Sequence, residues 1–390
     1  MRIAIVIEQA FDPDAGGVQR STSKLAKIFK ENGHHVIIIS LKINDEKIVF
    51  WDEIPVYQIS VANKELHDII ESENISLILN QAGYSYRLTR LLINQLNKNV
   101  KIINTLRINP LNFYDNHQLL IRLYLKQKRL SFLNTLLVKK LTLLYHICKQ
   151  RYELSYIIRN VDAFVMLSES FKPELYKLAP KLRKFNYKIY GINNPFVLPD
   201  YNYKEARKEN VILHVGRLNI SQKRVDLLLK IWQKLHNELP DWKFWVVGDG
   251  PERSFMEDFC KMNNLTNVNF FGQCKPDEYY KRAKIFHLTS AFEGFGNVLV
   301  EAQGYGCVPV LFNSYSAASE IIEDGKNGLL IPPFNIEQYV GATIKLIKSS
   351  ERLQEMAINA IANVDRFSFQ NTYIKWEAVF RYVTNEPVNK

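Results

Sequence analysis

Short apolar runs alternate along this chain with amphipathic stretches of helical period, the rhythm of βαβ units whose parallel strands are covered by helices. In the first half the pattern predicts strand Arg2 to Ile7, helix Ser21 to Lys30 closed by the stop signal Asn32-Gly33, and strand Val36 to Ser40. Further strands follow at Ser76 to Leu79, Lys101 to Thr105 and Ala163 to Leu167. The second half repeats the rhythm more cleanly. It reads as strands Val211 to Val215, Lys243 to Val247, Asn267 to Phe271, Ile285 to Thr289, Val308 to Phe312 and Gly328 to Ile331. Helices Arg224 to Glu238, Glu252 to Met262 and Pro276 to Arg282 lie between them, and two more close the chain. The prolines and turn formers of Asn193-Asn-Pro-Phe-Val-Leu-Pro-Asp200 and the charged stretch Tyr203 to Asn210 read as an interdomain linker.

At 390 residues the chain exceeds what one hydrophobic core serves, so two domains are expected. A composition of 47% hydrophobic and 23% charged residues is that of an ordinary globular protein. Cys148, Cys260, Cys274 and Cys307 form no Cys-x-x-Cys pair, which argues against a zinc site or a disulfide framework and fits a reducing cytoplasm. The N-terminal apolar run meets Glu8 too soon for a signal peptide, and no run is long enough to span a bilayer.

The net charge of +11 is partly local. From Asn116 to Tyr152 the chain carries eight lysines and arginines and no acidic residue, interleaved with leucines such as Leu130, Leu136, Leu141 and Leu144. Two readings are open: basic amphipathic helices on an anionic membrane surface, or leucines facing the domain's own core beneath a solvated cationic face. No nucleic-acid-binding motif accompanies the charge.

The chemistry concentrates in the second half. Glu293-Gly-Phe-Gly-Asn-Val-Leu-Val-Glu301 brackets a glycine turn and a helix start with two carboxylates. Gly294 and Gly296 let the backbone approach a ligand, and the free N–H groups around Asn297 and Val298 suit a diphosphate. Glu293 can accept hydrogen bonds from sugar hydroxyls and Glu301 can hold a ribose diol. A solvated glutamate pair around an ordinary turn is the plain alternative. Upstream, a strand ends in Gly216-Arg217 and is followed by Ser221-Gln-Lys-Arg-Val-Asp226, so Arg217 and Lys223 are candidate phosphate ligands. Both they and Glu293 fall at predicted strand ends, where ligands of open parallel sheets collect. The run Gly248-Asp249-Gly250 is no dinucleotide fingerprint, because Arg253 stands at the third glycine. His214 and His287 read as core histidines. Ser168 is either an acceptor contact or a helix cap.

Gly-Arg-Leu, Gln-Lys-Arg-Val-Asp, Val-Gly-Asp-Gly-Pro and the paired glutamates, in this order, resemble the signature of family 4 retaining glycosyltransferases. The likeness runs from Gly16-Gly17-Val18 to the Phe-Ser-Phe…Trp-Glu stretch at 367 to 377, and is weakest between 85 and 160. It implies a GT-B fold, an α/β architecture of two Rossmann-like doubly wound parallel-sheet domains facing an interdomain cleft. The expected organisation is an acceptor-binding domain over 1–192, a linker over 193–210, a nucleotide-sugar domain over 211–368, and a helix over 369–390 that returns to the first domain.

The resemblance further implies transfer of a sugar from a nucleoside-diphosphate sugar to a saccharide or lipid-linked acceptor, in cell-surface polysaccharide synthesis at the cytoplasmic membrane face. Arg217, Lys223 and Glu293 would carry catalysis. Gly16, Gly17, Gly294, Phe295, Gly296, Asn297, Val298 and Glu301 would bind the donor, with no metal or other cofactor. One departure stands out. Similar proteins carry a histidine that meets the donor sugar where Leu106-Arg-Ile-Asn-Pro110 places Arg107. Either arginine remakes the contact, or His117 serves, or the activity is altered. The rival readings are therefore a non-catalytic sugar-nucleotide or membrane-binding subunit, or an epimerase or phosphorylase on the same architecture.

Overall fold

The computed structural model describes residues 1–13, 16–42, 49–59, 65–97, 99–205 and 207–385. Its fourteen described strands form two sheets, each in its own compact unit.

The first sheet comprises β1 (Arg2–Ile7), β2 (His35–Ser40), β3 (Phe50–Trp51), β4 (Ile54–Gln58), β5 (Leu77–Asn80), β6 (Lys101–Leu106), β7 (Ala163–Met166) and β8 (Ile189–Gly191), in the order β3-β4-β2-β1-β5-β6-β7-β8. All its pairings are parallel except β3 with β4. Strands buried on both faces read as unbroken apolar runs, and so β1, β2, β5, β6 and β7 were predicted to within about two residues at each end. The pattern missed β3, β4 and β8 at the sheet edges. Pro55 interrupts β4, and the other two are only two and three residues long.

The second sheet comprises β9 (Glu209–Val215), β10 (Lys243–Val247), β11 (Val268–Gly272), β12 (Ala283–Leu288), β13 (Val308–Phe312) and β14 (Leu329–Ile331). They are wholly parallel in the order β11-β10-β9-β12-β13-β14. Numbered from β9 this is the doubly wound order 3-2-1-4-5-6, whose switch point lies between β9 and β12. Trp232 of the helix Val225–Glu238 stacks on Phe244 of β10 with ring centroids 5.3 Å apart, at the centre of this unit's core.

One unit contains Met1–Asp115, Thr135–Pro195 and Phe369–Lys390, and the other contains Asn116–Asn134 and Phe196–Ser368. The second unit's two main ends lie side by side, with the Phe196 amide donating to the Phe367 carbonyl at 2.8 Å. The terminal helix Phe369–Thr384 packs on the first core because Tyr373, Trp376, Val379, Phe380 and Val383 form one apolar stripe. Phe29 meets Trp376 and Phe380 there at 5.6 and 5.1 Å.

This division differs from the sequence reading in two places. The break falls at Pro195–Phe196, inside the expected linker, and residues 209–210 already belong to β9. Residues 116–134 group with the second unit, whereas the whole basic segment was expected in the first. Its helix Asn112–Gln127 buries only His117 and Leu125, too weak a periodic signal to assign it to a core.

The leucines of the helix Leu136–Asn160 do not face a core over its first half: Leu136 and Leu137 are each 67% exposed, Leu141 57% and Leu144 59%. Only Leu154, Ile157 and Ile158 of this helix are buried. Among the described residues, no helix is long and apolar enough to cross a membrane.

Candidate functional site

Two glycines shape the carboxyl ends of β9 and β10. A Cβ at Gly248 would lie 2.0 Å from the Gly216 carbonyl oxygen, and one at Gly216 would lie 3.1 Å from Cε of Lys223. The bare backbone therefore leaves room for the lysine stem. Asn219 Oδ1 accepts from the amides of Gln222 and Lys223 at 2.9 and 3.0 Å, fixing the turn from which Lys223 projects.

Lys223 Nζ lies 2.6 Å from Glu293 Oε1, and each residue is only 8% exposed. Ser290 Oγ donates to the same carboxylate oxygen at 2.6 Å, and Gln222 Nε2 donates to Oε2 at 3.3 Å. A buried lysine and a buried glutamate thus neutralise each other, with the glutamate fixed by two further donors. Beneath them, His214 is fully buried and donates from Nδ1 to the His287 carbonyl at 3.1 Å. Burial, and next the charge of Lys223, lower the His214 pKa to about 4, so its imidazole is neutral at pH 7. His287 is likewise buried and lies 3.4 Å from Thr343 Oγ1, as the core reading of both histidines expects.

Gly296, at φ +101°, starts the helix Asn297–Gly304. An L-residue is strained there, and a Cβ would lie 2.8 Å from the Tyr315 hydroxyl. That hydroxyl is buried without a hydrogen-bond partner among the described residues, and burial together with the nearby Glu293 charge keeps it protonated. Glu301, one turn into the helix, accepts from the Tyr280 hydroxyl at 3.3 Å.

Arg217 is exposed, and its side chain has no hydrogen-bond or ion-pair partner among the described residues. Phe295 turns inward and is 2% exposed, its ring 5.5 Å from that of Phe367, so only its backbone is available to a ligand. The sequence reading singled out Lys223, Glu293 and Glu301 but missed the residues that position them. Ser290, Tyr280 and Tyr315 carry no motif, and Gln222, though inside the Gln-Lys-Arg-Val-Asp motif, was not singled out.

In the first unit, Gly16 and Gly17 begin the helix Gly16–Glu31, and a Cβ on either would meet nothing within 4 Å. Ser168 is fully buried and its hydroxyl accepts the Ser170 amide at 3.1 Å, a local turn that occupies it. His117 is 3% exposed in its helix. Arg107 stands just after β6, where its guanidinium donates to Gln81 and Asn194. Among the described residues no group of three or more His, Cys, Asp or Glu is placed to hold a metal ion.

Residues 201–363 match the family model described as Glycosyl transferases group 1. An uncharacterised glycosyltransferase of Haemophilus influenzae is 32% identical over 49% of this chain and 54% of its own length. The amylovoran biosynthesis glycosyltransferase AmsD of Erwinia amylovora is 30% identical over 45% of this chain and 49% of its own. The chain thus spans about half the length of these curated relatives. Among solved structures, a TarM mutant of S. aureus in complex with fondaparinux, alpha-GlcNAc-glycerol and UDP has a TM-score of 0.74 at 15% identity, over 97% of this chain and 99% of that one. Anabaena HepE in complex with UDP and glucose gives 0.71 at 15% identity, over 97% and 98%. These likenesses establish the GT-B fold. The family likeness thus lies in residues 201–363, most of the second unit, which resemble the group 1 glycosyl transferases.

Proposed function

We propose that the protein is a retaining glycosyltransferase that moves a sugar from a nucleoside-diphosphate sugar to a saccharide or lipid-linked acceptor of a cell-surface polysaccharide. The observation that carries this reading is the buried Lys223–Glu293 pair at the switch point of the second sheet. When the glycosidic C–O bond to the leaving diphosphate breaks, negative charge grows on phosphate oxygens and positive character on the sugar. Lys223 gives one N–H to Glu293 and keeps two for phosphate. Arg217 is unengaged and the helix Asn297–Gly304 offers its first free N–H groups. Glu293 accepts from sugar hydroxyls on its remaining lone pairs, and Glu301 holds the ribose.

With the charge carried by these fixed groups, catalysis needs no divalent cation. The leaving phosphate takes the acceptor's proton in a front-side attack, and no protein nucleophile is used. The TarM and HepE structures are complexes with UDP, which makes uridine diphosphate sugars the first donors to test. The assay follows the anomeric proton of the product by NMR across nucleotide sugars, with pooled saccharide and lipid-linked acceptors and EDTA present. Transfer with retained configuration is expected; an inverted product, or transfer only after a metal ion is added, contradicts the mechanism.

The exposed leucines of Leu136–Asn160, with Lys139 and Lys140 among them and no acid before Glu153, support peripheral attachment to an anionic membrane face in the cytoplasm. Vesicles containing phosphatidylglycerol should sediment the protein and pure phosphatidylcholine should not. Leu137→Asp with Leu141→Asp should abolish the difference.

A further inference from the structure

The first sheet has a switch point of its own, between β1 and β5, and the residues just beyond β5 and β6 form a second polar cluster. Gln81 follows β5 and is 1% exposed. Its Oε1 accepts from Arg107 Nε at 2.6 Å, from Arg107 Nη2 and from Thr105 Oγ1 at 3.1 Å. Arg107 Nη1 donates to Asn194 Oδ1 at 2.7 Å. Every partner of the guanidinium is a neutral amide oxygen. No acidic side chain among the described residues faces it, and burial alone lowers its pKa to about 9, which leaves it a cation at pH 7. The Gln81 amide nitrogen is buried and has no partner among the described residues.

Arg107 is half-buried, and a cation partly withdrawn from water is ordinarily paired with an anion, just as a buried amide donor is ordinarily satisfied. Both rules fail at the same place. The two shortfalls have one remedy: Nη1 and Nη2 each keep an N–H, the Gln81 amide supplies more, and a planar fork of this kind matches two oxygens of one oxyanion. Thr105 fixes the cluster from below, since a Cβ on Gly83 would lie 2.6 Å from the Thr105 backbone and the two strand ends are held together.

We propose that Arg107 and Gln81 form a binding site for an oxyanion group of a substrate, either a phosphate or a sugar carboxylate. An acceptor phosphate and an acidic sugar are the two sources of such a group.

The test is the arginine Nε–H spectrum of the full-length protein, with the Arg107 resonance assigned by its loss in Arg107→Lys. Inorganic phosphate and glucuronate are titrated separately at constant ionic strength against a sodium chloride control. A saturable shift with phosphate assigns the site to a phosphate group, and one with glucuronate assigns it to a carboxylate. Gln81→Leu should weaken that binding about tenfold, the loss of one hydrogen bond to a charged group. Lys223→Ala should leave the Arg107 titration unchanged, so the result stands or falls apart from the donor reading. No shift with either anion beyond that of chloride overturns the proposal, as does full retention of binding in Gln81→Leu.

Discussion

The two units place a cation at corresponding ends of similar sheets, Lys223 buried and Arg107 half-buried, and treat it in opposite ways. In the second unit Lys223 meets Glu293 at 2.6 Å, and Ser290 and Gln222 donate two further bonds to the carboxylate. In the first, Arg107 has only neutral oxygens and Gln81 keeps an idle amide. A compensated pair is stable without ligand and loses much when either member is removed. An uncompensated cation is costly without ligand, and its removal is nearly free. The two sites therefore make opposite predictions for the free protein.

The largest effect belongs to the pair. Glu293→Ala strands the Lys223 ammonium and should lower the second unit's unfolding free energy in urea by about 3–5 kcal/mol. A loss below about 1 kcal/mol would mean that water already compensates the lysine. Next comes turnover: Lys223→Ala should slow transfer at saturating donor roughly a hundredfold or more, about 3 kcal/mol of transition-state stabilisation. An unchanged rate would confine Lys223 to a structural role.

The pH dependence is smaller and has a definite sign. Burial is the leading cause that holds His214 at a pKa of about 4 and His287 at about 3, against 6.5 for the free side chain. As pH falls below 6.5 the unfolded chain takes up protons that the folded chain refuses, so stability is lost on acidification. Between pH 7 and 5 the loss should be about 2 kcal/mol for each histidine. Urea titrations at the two pH values check this, and equal midpoints would show that an imidazole is hydrated. Smallest of all, Arg107→Gln should change the first unit's stability by no more than about 1 kcal/mol, because the lost hydrogen bonds offset the removed charge. A loss as large as that of Glu293→Ala would erase the contrast between the sites.

The sequence showed much of this architecture, and for a physical reason. Central parallel strands are buried on both faces, so β9, β10 and β13 stand out as apolar runs, and the terminal helix shows its stripe at Trp376, Val379 and Phe380. One side of the first sheet was invisible because a two-residue β3 and a proline-bearing β4 have no period to detect. Within the site, charged residues beside glycines were legible. The hydroxyls of Ser290 and Tyr315 were not, because their roles arise from where β12 and β13 end in space. Arg107 was noticed as a departure from a pattern, while its lack of a counter-charge became visible only when the fold brought Gln81 and Asn194 to it. Ser168 shows the converse, a conspicuous strand-end hydroxyl engaged by its own turn.

The central claim is that the carboxyl edge of the second sheet binds a nucleoside diphosphate through Lys223 and Glu301. Calorimetric titration of uridine diphosphate and the other nucleoside diphosphates, with EDTA present, into wild type, Lys223→Ala and Glu301→Ala tests it most directly. The account predicts that one diphosphate binds the wild-type protein without metal, and that both variants lose at least about tenfold in affinity, the equivalent of one charged hydrogen bond. If no nucleoside diphosphate binds, or the variants bind as the wild type does, the site lies elsewhere.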